Sequence, residues 1–428
     1  MGLVIELVFG LICVARTLPL AIWALLVESL GGKAGEGASA GAKAGAFDVI
    51  CISHVPWHHA WQRNHHVMSG LARHGTVLYC HPVKLFGFRA HWTRVMRPVR
   101  RSESGVWVHY PVIIPGVRSS SFIKRLNQVL LGASLRRLMK RLAMRSPVLW
   151  YYFPDMVFMI GRLGERAIVY DIQDNYEHFF WSSSDLPQRE RELLAAADQV
   201  FTGTYTLYDK NRAFARVAEF IPCGVDFEFF NQVRRKPLSW PEGFRGFYEK
   251  LRPPILGYFG LIDDRIDLAL IAELARRRPE WQFLLIGPYD LVKEKFKPMP
   301  NVHFTDQVEY ADLPRHAQAF DVCLMPFLMN ELTRAINPTK TLEYFALERP
   351  VVSSPIPDMM RFYGEAIDFA TDADGWEKAI EKSLQPDPIR LAKALEIARG
   401  RSWQAVIERF RSRTQEAIDA RLLNAQTR

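Results

Sequence analysis

The stretch Asn330-Glu-Leu-Thr-Arg-Ala-Ile-Asn-Pro-Thr-Lys-Thr-Leu-Glu-Tyr-Phe-Ala-Leu-Glu-Arg-Pro-Val-Val352 decides the fold. It follows the apolar run Val322–Phe327, crosses a polar loop, and enters a helical pattern at Pro338 that ends before a second apolar run, Val351-Val352. Proline suits a first helical turn, where its missing N–H costs nothing. The unpaired N–H groups of that turn and the helix dipole favour an anion. Lys340 adds a cation, and Glu343 follows three residues on. Together they offer a positive end for a diphosphate and an acceptor for sugar hydroxyls.

On either side of this unit, apolar runs alternate with helical patterns. Before it, the strand candidates are Asp48–Ser53, Val77–Cys80, Val106–Ile114, Val148–Phe153, Ala167–Ile172, Val200–Thr202 and Phe220–Pro222. Helical patterns lie at Arg63–Arg73, Phe122–Leu142, Met156–Leu163, Leu186–Ala196 and Leu207–Ala215. The Pro-, Lys- and Arg-rich stretch Asn231–Pro254 breaks the rhythm and reads as an interdomain connection. A second series then runs from Ile255–Ile262 to Ile389–Ala398, and an amphipathic pattern, Trp403–Leu422, closes the chain. Many strands are continuous apolar runs, as burial on both faces of a parallel sheet requires. The expectation is α/β, with two doubly wound domains, residues 47–235 and 250–400, facing across a cleft, and a terminal helix over 401–428. Ligands bind at the carboxyl edges of such sheets.

A chain of 428 residues accommodates two domains. Its five cysteines have no zinc-ribbon or thioredoxin spacing, which suits reduced, buried thiols. Residues 1–30 are strongly apolar but interrupted by Glu6, Arg16 and Pro19. They read as an interfacial or re-entrant membrane anchor or a poor single span, with a misplaced start as the alternative. A Gly/Ala-rich flexible linker follows over 31–46. Between Lys84 and Arg145 stand fourteen Lys or Arg residues and one acid, Glu103. A solvated basic face explains such a run, and so does attraction to an anionic membrane surface; no nucleic-acid motif accompanies it.

Three further patterns carry chemistry. Gly257-Tyr-Phe-Gly260 ends the first strand of the second domain, where glycine lets a ligand approach the backbone. Trp57-His-His-Ala-Trp-Gln-Arg-Asn-His-His66 follows the first strand of the chain. Its four histidines have no partner cluster at metal-ligand spacing, so Trp57 and Trp61 read as an aromatic wall of a binding surface, and Arg63 and His66 as binders of anionic or hydroxylated groups. Val169-Tyr-Asp-Ile-Gln-Asp-Asn175 places Asp171 and Asp174 at a strand end, where a carboxylate can take a proton from a hydroxyl. Capping of the next segment is the other role for Asp174.

The order Gly-Tyr-Phe-Gly, Ile286-Gly-Pro288, Tyr310-Ala-Asp-Leu-Pro314, Asn337-Pro-x-Lys-x-x-Glu343, Pro350-Val-Val352 resembles the donor domain of GT-B glycosyltransferases of group 1, particularly the teichuronic-acid-type enzymes. The resemblance covers most of residues 47–422. It implies that Glu343 binds the donor ribose, that Asn337, Pro338, Thr339 and Lys340 hold the diphosphate, and that Gly260 lines the same site. Around Asp174 the chain is similar to the xanthan glucuronosyltransferases, which implies a general base there, with Asp171, Glu177 and His178 as fallbacks. Many retaining relatives carry an acid where this chain has Ala335. The implied activity is transfer of a sugar from a nucleoside diphosphate sugar to a hydroxyl of a lipid-linked or polysaccharide acceptor, without cofactor or metal, at the cytoplasmic side of the inner membrane. A sugar-nucleotide epimerase of the same architecture and an inactive scaffold in polysaccharide assembly are the alternatives.

Overall fold

The computed structural model describes residues 46–58, 61–81, 99–111, 121–179, 182–234, 243–290, 292–385 and 387–427. The expected apolar segment 1–30 and nearly all of the linker lie outside these residues. The chain runs β1 (Val49–Ile52), α1 (Arg63–Leu71), β2 (Val77–Cys80), β3 (Val99–Arg101), β4 (Trp107–His109), α2 (Ser121–Arg141), β5 (Val148–Tyr151), β6 (Ala167–Ile172), α3 (Leu186–Ala196), β7 (Gln199–Thr202), α4 (Tyr205–Asn211), β8 (Ala218–Phe220) and α5 (Phe227–Arg234). It continues with α6 (Arg245–Tyr248), β9 (Ile255–Phe259), α7 (Leu268–Arg277), β10 (Gln282–Ile286), β11 (Val302–Thr305), α8 (Leu313–Ala317), β12 (Val322–Met325), α9 (Lys340–Ala346), β13 (Val351–Ser353), α10 (Pro357–Tyr363), β14 (Ile367–Phe369), α11 (Ala373–Ser383), α12 (Pro388–Arg399) and α13 (Trp403–Gln426).

Two sheets result. The first has the order β3-β4-β2-β1-β5-β6-β7-β8 and the second β11-β10-β9-β12-β13-β14. All pairings are parallel except the edge pair β3–β4. β1, β2, β5 and β6 are buried at every residue, the state their unbroken apolar runs demand. The antiparallel edge β3, Val99-Arg-Arg101, shows no apolar run, because charged residues suit an exposed edge strand.

The structure departs from the sequence pattern in three places. Met156–Leu163 forms only a 3₁₀ turn, Val157–Met159, because Met156, Gly161 and Gly164 all take positive φ and cannot continue a helix. The connection after Asn231 begins inside α5, whose Phe230 is buried in the second domain's core. The short α10 and β14 lay below what periodicity resolves.

The terminal helix returns to the first domain. Trp403, Val406, Phe410 and Ile418 of α13 join the core containing Trp150 and Phe201. The chain therefore crosses between domains twice, and the crossings are bonded to each other: Val225 N–H donates to Arg401 O at 2.8 Å and Trp403 N–H to Val225 O at 3.2 Å. A second clamp joins the domains at Asp358 of α10. Its carboxylate accepts from the N–H groups of Tyr205 (2.7 Å) and Thr206 (3.2 Å) at the start of α4.

Candidate active site

The second-domain side of the cleft is built on bare backbone. Gly260 (φ +136°) ends β9, and its N–H donates to Ile286 O at 2.8 Å. Gly287 (φ +139°) ends β10, and a Cβ there would lie 2.0 Å from Gly260 O. Two neighbouring strand ends thus meet backbone to backbone, which only glycine permits. α9 runs past them, pinned where the Phe259 N–H donates to the Tyr344 hydroxyl at 3.0 Å. The helix starts at Lys340 with Thr339 as its cap, so Pro338 stands before the cap rather than in the first turn. Its carbonyl is nonetheless used, accepting from Thr341 N–H at 3.1 Å.

Lys340 is held against Gly260 with its ammonium 5.5 Å from the centre of the Tyr258 ring. Burial lowers its pKa to about 8, against the pull of Glu343. Glu343, one turn along, is raised to about 7 by burial, with Lys340 opposing. A lysine held against the bare strand end at Gly260 and a glutamate one helical turn along thus act on each other's charge. Asn337 accepts from the Tyr363 hydroxyl at 3.4 Å, while its buried Nδ2 has no partner among the described residues. A buried amide without a partner is costly and fits a site that a ligand or water completes.

Arg265 was not singled out from the sequence. It lies in the loop after β9, which is clamped to the end of β12 by Asp267 N–H to Pro326 O (2.7 Å) and Leu328 N–H to Arg265 O (2.8 Å). Its guanidinium pairs with Asp263 at 2.9 Å. Its charge also acts on Lys340 and, from the other domain, on Asp174. The only signal was the charged run Asp263-Asp-Arg265 directly after the glycine turn.

On the first-domain side, Asp174 stands two residues beyond β6. Burial raises its pKa, and the Arg265 charge across the cleft opposes this. A raised carboxyl at a strand end has the character of a general base. Tyr176, Phe153 and His54 form an aromatic cluster beside it, Tyr176 lying 4.9 Å from His54 and 5.1 Å from Phe153. Among the described residues the buried Gln173 amide nitrogen has no partner. His54 follows β1 by two residues, a position no spacing motif marks.

Other expected residues are committed elsewhere. Arg63, only 4 % exposed, donates to both oxygens of Asp171 (2.8 and 3.1 Å) and to Ile221 O (2.6 Å). It is a buried structural ion pair rather than an acceptor contact, and Asp171 is equally unavailable as a base. His66 stacks on Trp403 at 4.2 Å, and burial, with His65 nearby, lowers its pKa to about 3, so it offers no cation. Trp57 is buried behind Trp61, with ring centres 5.8 Å apart; Trp61, 42 % exposed, alone presents a face to solvent. Glu177 is paired with Lys210 and held below its ordinary value by that bond. Ala335 is buried in the apolar cluster that contains Leu207 of the first domain, where a carboxylate would be stripped of water without a partner. Among the described residues no group of three or more His, Cys, Asp or Glu side chains is placed to hold a metal. No described helix is long and apolar enough to cross a membrane.

Residues 253–385, which hold Gly260, Lys340 and Glu343, match the family described as group 1 glycosyl transferases. The chain is 25 % identical over 227 residues to a putative teichuronic acid biosynthesis glycosyltransferase, TuaH, of Bacillus subtilis; the match covers 49 % of this chain and 55 % of that one. The chain thus spans about half the length of this curated relative. Among solved structures, it is similar to sucrose-phosphate synthase from Thermosynechococcus elongatus (TM-score 0.65, 16 % identity, 87 % of this chain and 99 % of that one). It is also similar to Anabaena Alr3699/HepE in complex with UDP and glucose (TM-score 0.62, 13 % identity, 86 % and 100 %). The two Rossmann-like domains have the GT-B fold these structures share, and the match to group 1 glycosyl transferases falls on the second.

Proposed function

We propose that this chain, a GT-B fold with a group 1 glycosyltransferase domain, moves a sugar from a nucleoside diphosphate sugar to a hydroxyl acceptor. One observation carries the reading: Lys340 sits against the Gly260 strand end of one domain with Glu343 one helical turn along, and Asp174 of the other domain feels the Arg265 charge from the same loop system. In the reaction, Asp174 takes the acceptor proton as the acceptor oxygen bonds to the anomeric carbon. The bond from that carbon to the diphosphate oxygen breaks, and its electron pair leaves with the diphosphate. Lys340 and Arg265 stabilise the charge that grows there. Glu343 accepts from ribose hydroxyls, and Asn337 donates its free amide hydrogen to the donor. Closure of the domains about the paired crossings excludes water.

The acceptor is a lipid-linked or polysaccharide hydroxyl at the cytoplasmic face of the inner membrane. Support comes from the relative named for teichuronic acid biosynthesis and from the basic stretch of the first domain. UDP-glucose is the first donor to test, since the Anabaena neighbour is also solved with it. Calorimetry with UDP should show Kd rising about tenfold or more in Lys340→Ala and in Glu343→Ala, the loss of a charge-assisted hydrogen bond or two. Wild-type affinity in both variants would place the donor elsewhere.

A further inference from the structure

We propose that α2 docks the first domain on an anionic lipid surface, lying against the headgroups beside the acceptor end of the cleft. The proposal rests on the reading that the acceptor is held at a membrane, and it names the surface that meets it. α2 carries six Lys or Arg residues and no acid in 21 residues. Its inner face, with Leu131, Leu135 and Leu138, is packed into the core. The opposite face shows Phe122 (69 % exposed), Arg125, Val129 (61 % exposed), Arg136 and Lys140, spaced by three, four, seven and four residues and so on one side of the helix.

The helix joins two parallel strands, β4 and β5, so it runs against them, and its N-terminus points to the carboxyl edge of the sheet. Ser134 marks the level of that edge, because its hydroxyl is 3.2 Å from His109, the last residue of β4. Phe122 precedes Ser134 by 134 − 122 = 12 residues. At 1.5 Å per residue, Phe122 therefore lies roughly 18 Å along the helix axis from Ser134, on the carboxyl side of the sheet. Asp174 and Tyr110 lie at ends of the same sheet.

Cations interleaved with exposed Phe and Val match a surface that is charged outside and apolar beneath. A nucleic acid would satisfy the cations and leave the aliphatic Val129 without a role.

The test uses the full chain. Its binding to 1:1 phosphatidylcholine–phosphatidylglycerol vesicles should exceed that to phosphatidylcholine vesicles and weaken in high salt. Arg125→Ser should lower the partition about fivefold, the equivalent of ~1 kcal/mol per cation. An apolar N-terminus that holds the chain by itself would mask this, so a local readout is added. Val129→Cys, with Cys13 and Cys223 replaced by Ser, is labelled with an environment-sensitive fluorophore. Its emission should shift to the blue with the anionic vesicles. Unchanged emission overturns the proposal, as does a shift with poly-uridylate but none with vesicles. UDP calorimetry on the labelled chain separates the two readings, because normal UDP binding with no vesicle shift removes the docking helix and leaves the donor site standing.

Discussion

A Cβ at Gly260 would lie 2.4 Å from Cε and 2.7 Å from Nζ of Lys340. The glycine is therefore the seat of the ammonium, and its φ of +136° is one that side chains rarely adopt. Gly260→Ala should displace Lys340 and strain the turn together. UDP affinity should fall about tenfold, and stability by about 1–3 kcal/mol, the usual cost of a residue forced into such a conformation. Calorimetry and denaturant titration measure the two effects. A variant that binds UDP as wild type does would show that the position of Lys340 is immaterial.

Asp174→Asn keeps the shape and removes the base. With the true acceptor or a surrogate, kcat should drop about 10²–10⁴-fold while UDP affinity and Tm stay near wild type. A purely capping role makes the opposite forecast, lower Tm and modest loss of rate, so the two measurements together decide.

Asp171, three residues earlier, should behave differently. Asp171→Ala strands the buried Arg63 guanidinium without its carboxylate. Removing one partner of a buried pair costs about 3–5 kcal/mol. The variant should melt early or fail to accumulate, whereas Arg63→Met/Asp171→Leu should recover much of the loss. If Asp171→Ala keeps the wild-type Tm, the pair is not structural.

The Lys340–Glu343 pair sets a pH dependence. Lys340 is lowered to about 8 by burial, so the free protein loses that cation as pH rises through 8, and UDP affinity should fall there. Near pH 8, bound diphosphate favours the ammonium, and binding should take up protons, seen as a buffer-dependent heat. Stability runs by the same logic. The folded pKa of Lys340 lies below its ordinary 10.5, so the charged side chain penalises folding below about pH 8, and the penalty fades as pH rises. Glu343 is raised from 4.5 to about 7, so its penalty is absent in acid and grows as pH rises toward 7. Lys340→Met/Glu343→Gln should accordingly raise Tm at pH 7 while losing UDP. A lower Tm would mean the pair stabilises the fold.

Much of the architecture was legible because burial leaves a mark on composition. Ala167–Ile172 and Leu186–Ala196 form at their expected limits, since a strand covered on both faces has no polar position to offer and a one-sided helix repeats its apolar residues by three and four. Elements of three residues, such as β3 and β14, give no period to read. The place of Gly260 at a strand end and of Lys340 and Glu343 one turn apart on a helix was likewise legible, because each belongs to a local unit of strand, turn or helix.

The first-domain histidines and Arg63 were not legible in this way. By itself, the sequence determined two parallel sheets, a glycine turn at each of two strand ends and a Lys–Glu pair one helical turn apart, all consequences of contacts within a few residues. Only the tertiary structure decided that Arg63 spends its charge on Asp171, 108 residues away, that His66 lies under Trp403, and that Arg265 faces Asp174. A side chain's partner across the chain depends on how helices and sheets pack, and neither residue type nor spacing records it.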